Sequence, residues 1–152
     1  MFARVVFFLL FALPLSQAVA RNGAAVTVHP LATNAARQAF EQGGNAVDAA
    51  VAAALTLGVV DGFNSGIGGG CFMLIRKPDG TIIAIDGRET APAAVSRDMY
   101  LRDGKAKSEL SRTGALAIGV PGALAAYDLA IREYGKLDLA EHLDQAATIA
   151  EV

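Results

Sequence analysis

The pattern of apolar and polar positions begins with an uninterrupted hydrophobic run, Val5–Leu13. The run follows one positive charge at Arg4 and precedes Pro14 and the small residues Ala18–Ala20. This arrangement predicts a signal peptide over residues 1–20. The run is much shorter than the roughly 20 residues that span a bilayer, which makes a retained membrane anchor the weaker alternative. We therefore expect an exported protein, periplasmic or extracellular, with no stable membrane span.

Two helices are predicted after the leader. The first starts after a polar cap at Thr33-Asn34 and ends at Gly43-Gly44, because glycine adopts the left-handed conformation at a helix end without penalty. The second begins at Asn45, with Asp48 placed three residues on as a capping-box partner. Residues Ala49–Val60 are apolar apart from one threonine. A helix without a polar face is buried on every side, and we expect this one to pack against a sheet.

A glycine-dense loop, residues 61–70, leads from the second helix into a predicted hairpin. Cys71–Arg76 reads as a buried strand, Lys77–Gly80 as a turn and Thr81–Asp86 as the antiparallel partner. Residues 93–113 are polar and mixed.

The last third of the chain predicts an exposed turn and two more helices. The turn is placed at 102–105, and Pro121 lies near the start of a helix that runs to Gly135. Asp138 with Glu141 is expected to cap the final helix. The order of elements indicates an α+β fold rather than alternating βαβ units. The pattern is still helical at residue 152, so we expect residues 21–152 to be a truncated domain.

Composition and charge exclude several function classes. The chain has 13 Lys+Arg against 15 Asp+Glu, a net charge of −2, and no basic run after the leader, which argues against nucleic acid as a partner. A single cysteine, Cys71, allows no internal disulfide. Neither His29 nor His142 lies near a second ligand at metal spacing. We therefore expect no metal and no cofactor.

The glycine cluster at 66–70 lacks the features of a phosphate-binding loop. A P-loop continues with Gly-Lys-Ser/Thr, where this chain has Cys71-Phe72, and here a helix precedes the loop. Two interpretations remain open, a tight helix-to-strand reversal and a backbone wall beside a substrate cleft. We expect Cys71 to be buried and inert. No catalytic nucleophile is predicted, because a G-x-S-x-G elbow surrounds none of the four serines at 65, 96, 108 and 111.

Arg88 is the candidate binding residue. It follows the second predicted strand, with Asp86 and Glu89 beside it and Pro92 stiffening the exit. A guanidinium at a strand end can bind a carboxylate through two parallel hydrogen bonds. The alternative is that Arg88 pairs with a neighbouring acid and serves local structure only, and spacing alone does not choose between the two.

Several ordered motifs resemble the opening of the γ-glutamyltransferases, a family of γ-glutamyltranspeptidases and glutathione hydrolases. They cover nearly all of the chain after the leader. They are HPLATNA at 29–35, QGGNAVDAAVAAAL at 42–55, SGIGGG at 65–70, DGRETAP at 86–92, GVPG at 119–122, Tyr134-Gly135 and ATIAE at 147–151.

The resemblance implies the αββα sandwich of N-terminal-nucleophile hydrolases, incomplete in this chain. It further implies a precursor that cleaves itself into large and small subunits. The N-terminal threonine of the small subunit attacks the γ-glutamyl amide of glutathione or a related donor and passes the acyl group to water or an amine. Arg88 matches the family arginine that binds the donor α-carboxylate, and Glu89 would orient it. The threonine lies downstream in the family, so we expect this chain alone to be inactive.

The chain departs from the family pattern at two places. Asp61-Gly62-Phe63-Asn64 replaces a Glu-Pro-type step, and Cys71 replaces glycine or another small residue. Both border the glycine loop and leave the cleft lining and the donor open. Two rival interpretations follow: a relative that acts as a cephalosporin acylase or transfers poly-γ-glutamate, and a truncated product without catalysis.

Overall fold

The computed structural model describes residues 23–151. The predicted signal peptide lies outside these residues. The described part contains four helices, a larger hairpin, a small hairpin and two 3₁₀ turns. In chain order they are α1 Pro30–Glu41, α2 Ala46–Val60, β1 Cys71–Arg76, β2 Ile82–Gly87, β3 Leu101–Arg102, β4 Lys105–Ala106, the 3₁₀ turns Ser108–Ser111 and Ala115–Ala117, α3 Ala123–Tyr134 and α4 Leu139–Ala150. No helix in this stretch has the length and apolar character needed to cross a membrane.

Helix α1 starts one turn earlier than the sequence predicts. His29 caps it, since its Nδ1 accepts a hydrogen bond from Leu31 N at 3.2 Å, and Pro30 occupies the first turn. Proline suits that position because its φ is already helical and its missing N–H is not needed there. The predicted cap at Thr33-Asn34 is therefore wrong. The predicted end is confirmed, with Gly43 at φ +94° just beyond the helix.

Helix α2 carries the predicted capping box. Asn45 Oδ1 accepts from Asp48 N at 3.4 Å and from Val47 N at 2.7 Å, and Asp48 Oδ2 accepts from Asn45 N at 2.7 Å. Small alanine side chains bring α1 and α2 together in one buried cluster. On its other side α2 adds Val47, Val51 and Leu55 to a core with α3, α4 and the hairpin.

The prediction that α2 is buried on every side and lies against a sheet is only partly right. Val59 and the alanines at 46 and 50 are exposed, and the helix packs mainly on α1 and α4. The hairpin contributes to its core through the inward side chain of Ile85 and the neighbouring inward positions.

The β1–β2 hairpin is antiparallel as predicted, with Cys71 opposite Gly87 and Arg76 opposite Ile82. Its burial alternates, so the prediction of a buried strand holds for one face only. The inward face packs on the helices. The outward face leaves Phe72 71%, Leu74 75% and Ile82 64% exposed. The alternation follows from the strand period of two and from a single helical layer behind the sheet.

The remaining elements follow the prediction with two exceptions. The turn at 102–105 joins β3 to β4 through Asp103 and Gly104, both at positive φ. Helix α3 ends at Tyr134 as expected but starts at Ala123, after Gly122 rather than at Pro121. Asp138 precedes α4 without making a side-chain cap, so the predicted capping box there is wrong.

Candidate substrate-binding site

Arg88 lies immediately after β2 on a backbone that its neighbours hold in place. Its N–H donates to Asp86 Oδ1 at 2.9 Å. Two residues later, Thr90 and Val120 exchange backbone hydrogen bonds of 3.1 and 2.8 Å, which ties the strand exit to the segment before α3. The backbone at Arg88 is thus fixed on both sides along the chain.

The Arg88 side chain extends into solvent. It is 68% exposed, and its Nε lies 3.5 Å from Glu89 Oε2. An exposed pair at that distance contributes little to stability because water screens it. Within residues 23–151 the guanidinium makes no side-chain hydrogen bond, so its donors remain available to a carboxylate.

A cleft of about 480 Å³ lies between the end of α2 and the start of β1, and Glu89 but not Arg88 lines it. The glycine loop forms one wall with bare backbone, while Tyr127 and Cys71 line another part. Glu89 is the charged residue among those that line it. Arg88 instead borders a different depression of about 330 Å³, next to Pro121 and Leu129. The loop therefore acts both as a helix-to-strand reversal and as a cleft wall.

Cys71 and Tyr127, which line the cleft, are uncharged at neutral pH. Burial raises the pKa of the Cys71 thiol, and the nearby Tyr127 hydroxyl lowers it by less. Burial also raises the pKa of Tyr127, with a further contribution from Cys71. Both groups are protonated at neutral pH, which agrees with an inert rather than a nucleophilic Cys71. In the described residues no group of three or more His, Cys, Asp and Glu side chains could hold a metal ion.

A buried polar cluster at the opposite end of α2 was not predicted. Asp48 is 0% exposed and accepts from Asn45 N, Lys136 N and Leu137 N. His142 is also buried, with its Nε2 3.6 Å from Asp48 Oδ1. The sequence showed Asp48 only as a cap, because its other partners lie 88 or more residues away. Tyr127 was missed for the same reason.

The family model for γ-glutamyltranspeptidase matches residues 32–152. The chain belongs to the γ-glutamyltranspeptidase family. Its similarity to individual members is extensive within its own length. Glutathione hydrolase proenzyme 1 of Schizosaccharomyces pombe is 44% identical over 117 residues, which cover 77% of this chain and 18% of that protein. The glutathione hydrolase proenzyme of Escherichia coli is 42% identical over 132 residues, covering 86% and 23%.

An acylase is similar to the same part of the chain. Acylase ACY 1 proenzyme of a Pseudomonas strain is 43% identical over 141 residues, covering 88% of this chain and 25% of that protein. The chain thus spans a quarter or less of the length of these relatives. The matched stretch therefore corresponds to one part of these longer relatives.

Solved structures confirm the fold. Helicobacter pylori γ-glutamyltranspeptidase superposes with a TM-score of 0.82 at 39% identity, covering 86% of this chain and 38% of that one. The cephalosporin acylase of Bacillus halodurans gives a TM-score of 0.68 at 30% identity, covering 81% and 23%. The chain therefore has part of the α+β fold of the N-terminal-nucleophile hydrolases, as the resemblance predicted.

Proposed function

We propose that this chain is the opening part of the large subunit of an exported γ-glutamyltransferase or glutathione hydrolase. The observation that carries the proposal is the family match from residue 32 to residue 152, which includes the strand exit with Arg88. In the complete protein a threonine of the small subunit attacks the γ-glutamyl amide. The acyl-enzyme then passes its γ-glutamyl group to water or an amine.

Arg88 binds the α-carboxylate of the γ-glutamyl donor in this proposal. Three observations support it. The guanidinium is exposed, its backbone is held by Asp86 and by the 90–120 bridge, and its one acidic contact, with Glu89, leaves most donors unused. A planar guanidinium matches a carboxylate with two parallel hydrogen bonds. Glu89 contacts the Nε of Arg88 and borders the cleft, and in this proposal it orients Arg88 toward the donor.

The first experiment is to read the gene past codon 152 and to express the complete product. An open frame that leads to a threonine at a processing junction, followed by self-cleavage and release of p-nitroaniline from γ-glutamyl-p-nitroanilide, supports the proposal. A stop codon directly after Val152 would leave the truncated, non-catalytic product instead. Secretion with cleavage after Ala20, read by N-terminal sequencing of the mature protein, tests export.

The second experiment tests Arg88 in that complete product. Arg88→Ala should raise the donor KM, because losing a desolvated charge-assisted contact costs on the order of 2–5 kcal/mol, roughly 30-fold or more. Arg88→Lys keeps the charge without the planar guanidinium, so its donor KM should lie between those of the wild type and Arg88→Ala. Arg97→Ala is the matched control, since that side chain is 95% exposed and, within residues 23–151, forms an ion pair with Asp98. An unchanged KM for Arg88→Ala would remove Arg88 from the site.

An acylase that prefers glutaryl amides is the second candidate, favoured by the 43% identical acylase. The two donors differ only in the α-amino group, which a γ-glutamyl compound carries and a glutaryl compound lacks, while both keep the terminal carboxylate. Comparing kcat/KM for glutathione with that for a glutaryl anilide separates the candidates, and a strong preference for the glutaryl donor would favour the acylase.

A further inference from the structure

The backbone of Arg88 lies between two glycines from different elements. A Cβ placed on Gly70 would lie 2.7 Å from Gly87 O and 2.9 Å from Arg88 Cα. A Cβ placed on Gly122 would overlap Gly87 O and lie 2.7 Å from Arg88 O. Ordinary contacts of a Cβ begin at 3.4 Å, so neither position has room for a methyl group. Only glycine lets the three backbones approach this closely.

The same contact joins the glycine loop to α3. Gly122 N and Ala123 N both donate to Gly69 O, at 3.1 and 3.2 Å. A Cβ on Gly87 would in turn meet Ala126 Cβ at 2.5 Å. The glycine junction, defined here as Gly70, Gly87 and Gly122, therefore connects the cleft wall, the exit of β2 and the first turn of α3. Arg88 is attached directly to it.

We propose that Gly70 and Gly122 are positioning residues for Arg88 and fix where its guanidinium meets the donor carboxylate. This inference rests on the proposed function, because it assigns a cause to the position of the binding arginine. Making room for a Cβ at either position requires the Arg88 peptide or its neighbours to move by up to about 1 Å. A displacement of that size in a positioning group costs on the order of 100-fold in rate.

The test uses the complete gene product and two donors, γ-glutamyl-p-nitroanilide and its counterpart without the α-carboxylate, 4-aminobutyryl-p-nitroanilide. Gly122→Ala and Gly70→Ala should raise the KM of the first donor by about 10- to 100-fold with a smaller change in kcat. They should leave the second donor within about twofold, because it has no carboxylate for Arg88 to bind. Gly58→Ala is the control, since its Cβ would meet its nearest neighbour at 3.4 Å, an ordinary contact.

A double-mutant cycle separates positioning from general damage. In an Arg88→Ala background, Gly122→Ala should add no further loss for the γ-glutamyl donor, because the group it displaces is absent. Additive losses, or equal losses for both donors, would overturn the inference. If Arg88→Ala itself leaves the donor KM unchanged, the proposed role of Arg88 fails instead.

Asp86 provides a probe of the Arg88 backbone that introduces no steric clash. If Gly122→Ala does not fold, Gly70→Ala still tests the glycine junction, and the Asp86 variants test whether the Arg88 backbone must be held in place. Its carboxylate is exposed and accepts from Arg88 N at 2.9 Å. Asp86→Ala removes this acceptor, whereas Asp86→Asn keeps an oxygen at the same place and removes the same charge. Asp86→Ala should raise the KM of the carboxylate-bearing donor several-fold over Asp86→Asn. Equal KM values for these two variants would count against a positioned Arg88 backbone.

Discussion

At the scale of single residues, Cys71 shows how one side chain can belong to a cleft without taking part in chemistry. It sits opposite Gly87 in the hairpin, and its Sγ lies 3.0 Å from where a Gly87 Cβ would be. The missing side chain of Gly87 leaves the space that the thiol fills. Burial raises the pKa of Cys71, and the smaller opposing effect of Tyr127 does not restore it.

We expect Cys71 to react slowly with thiol reagents in the folded protein. Since the thiolate is the reactive form, a raised pKa lowers its population at pH 8, and partial burial restricts access further. The second-order rate constant with a disulfide reagent should be at least about 10-fold lower in native buffer than in urea. In native buffer this rate constant should also rise at a higher pH than it does in urea. A native rate that equals the rate in urea would contradict this account.

The sequence could place Arg88 at the end of a strand but could not orient it. Its neighbours Asp86 and Glu89 are both acidic, and either could have neutralised it. The structure shows that Asp86 accepts from the backbone N–H rather than from the guanidinium, and that Glu89 approaches only Nε. Which atoms of Arg88 each acid reaches depends on the direction of the backbone after β2. Contacts with Gly70 and Gly122 set that direction. No local pattern encodes such contacts.

At the scale of elements, Asp48 joins the start of α2 to the α3–α4 connection. Its carboxylate accepts backbone hydrogen bonds from Asn45, Lys136 and Leu137, while Asn45 Nδ2 donates to Tyr134 O at 2.7 Å. Gly135 completes the join, since its Cβ would lie 3.0 Å from Asp48 Oδ1. A buried carboxylate with several N–H donors is stable as the charged form.

The stability of this join should depend on pH. Burial raises the pKa of Asp48, but the backbone hydrogen bonds from Asn45, Leu137 and Lys136 and the nearby His142 together lower it by more, so the net pKa is below its ordinary value. A lowered folded-state pKa means that the ionised carboxylate stabilises the fold above the unfolded value of about 3.9. That contribution is lost as the pH falls through the lower, folded value.

We therefore expect Asp48→Asn to destabilise the complete protein at pH 7 by on the order of 2–4 kcal/mol, and to flatten its loss of stability in acid. Thermal melts between about pH 3 and pH 7, followed by circular dichroism, provide the measurement. Asp138→Asn is the matched control, because Asp138 precedes α4 without a side-chain cap. An Asp48→Asn variant that melts like wild type at pH 7 would contradict the role assigned to Asp48.

The elements that the sequence predicted best are those whose determinants lie within a few residues. The capping box of α2 needs only Asn45 and Asp48, and the hairpin register needs only its turn and its period of two. The start of α1 was misplaced because histidine is an uncommon cap, and Thr33 looked like the better one. The second role of Asp48 was invisible because Lys136 and Leu137 come from a distant part of the chain.

At the scale of the whole molecule, the described residues form a fold with one uncovered sheet face. Phe72, Leu74 and Ile82 point away from the helices and remain mostly exposed. Structural relatives continue well beyond the matched part, since this chain covers 38% of the H. pylori enzyme. In the proposed αββα sandwich a second sheet packs on this face, and covering the three side chains would contribute about 3–6 kcal/mol.

The uncovered apolar face predicts that one triple substitution has opposite effects in the isolated chain and in the complete product. Changing Phe72, Leu74 and Ile82 together to threonine keeps β propensity and removes the apolar patch. The isolated wild-type chain should aggregate, and the isolated triple variant should be more soluble, as measured by light scattering and sedimentation. In the complete product the same variant should reduce the yield of folded, self-cleaved enzyme, because threonine hydroxyls would be buried between two sheets without partners.

The control for this pair of experiments replaces exposed apolar residues off the sheet face. Val26 and Val28 are 95% and 80% exposed in the segment before α1, so changing both to threonine tests the effect of surface polarity alone. It should leave aggregation of the isolated chain largely unchanged if the sheet face is the surface that self-associates. A wild-type isolated chain that is monodisperse and melts cooperatively would show that this face does not need a covering sheet.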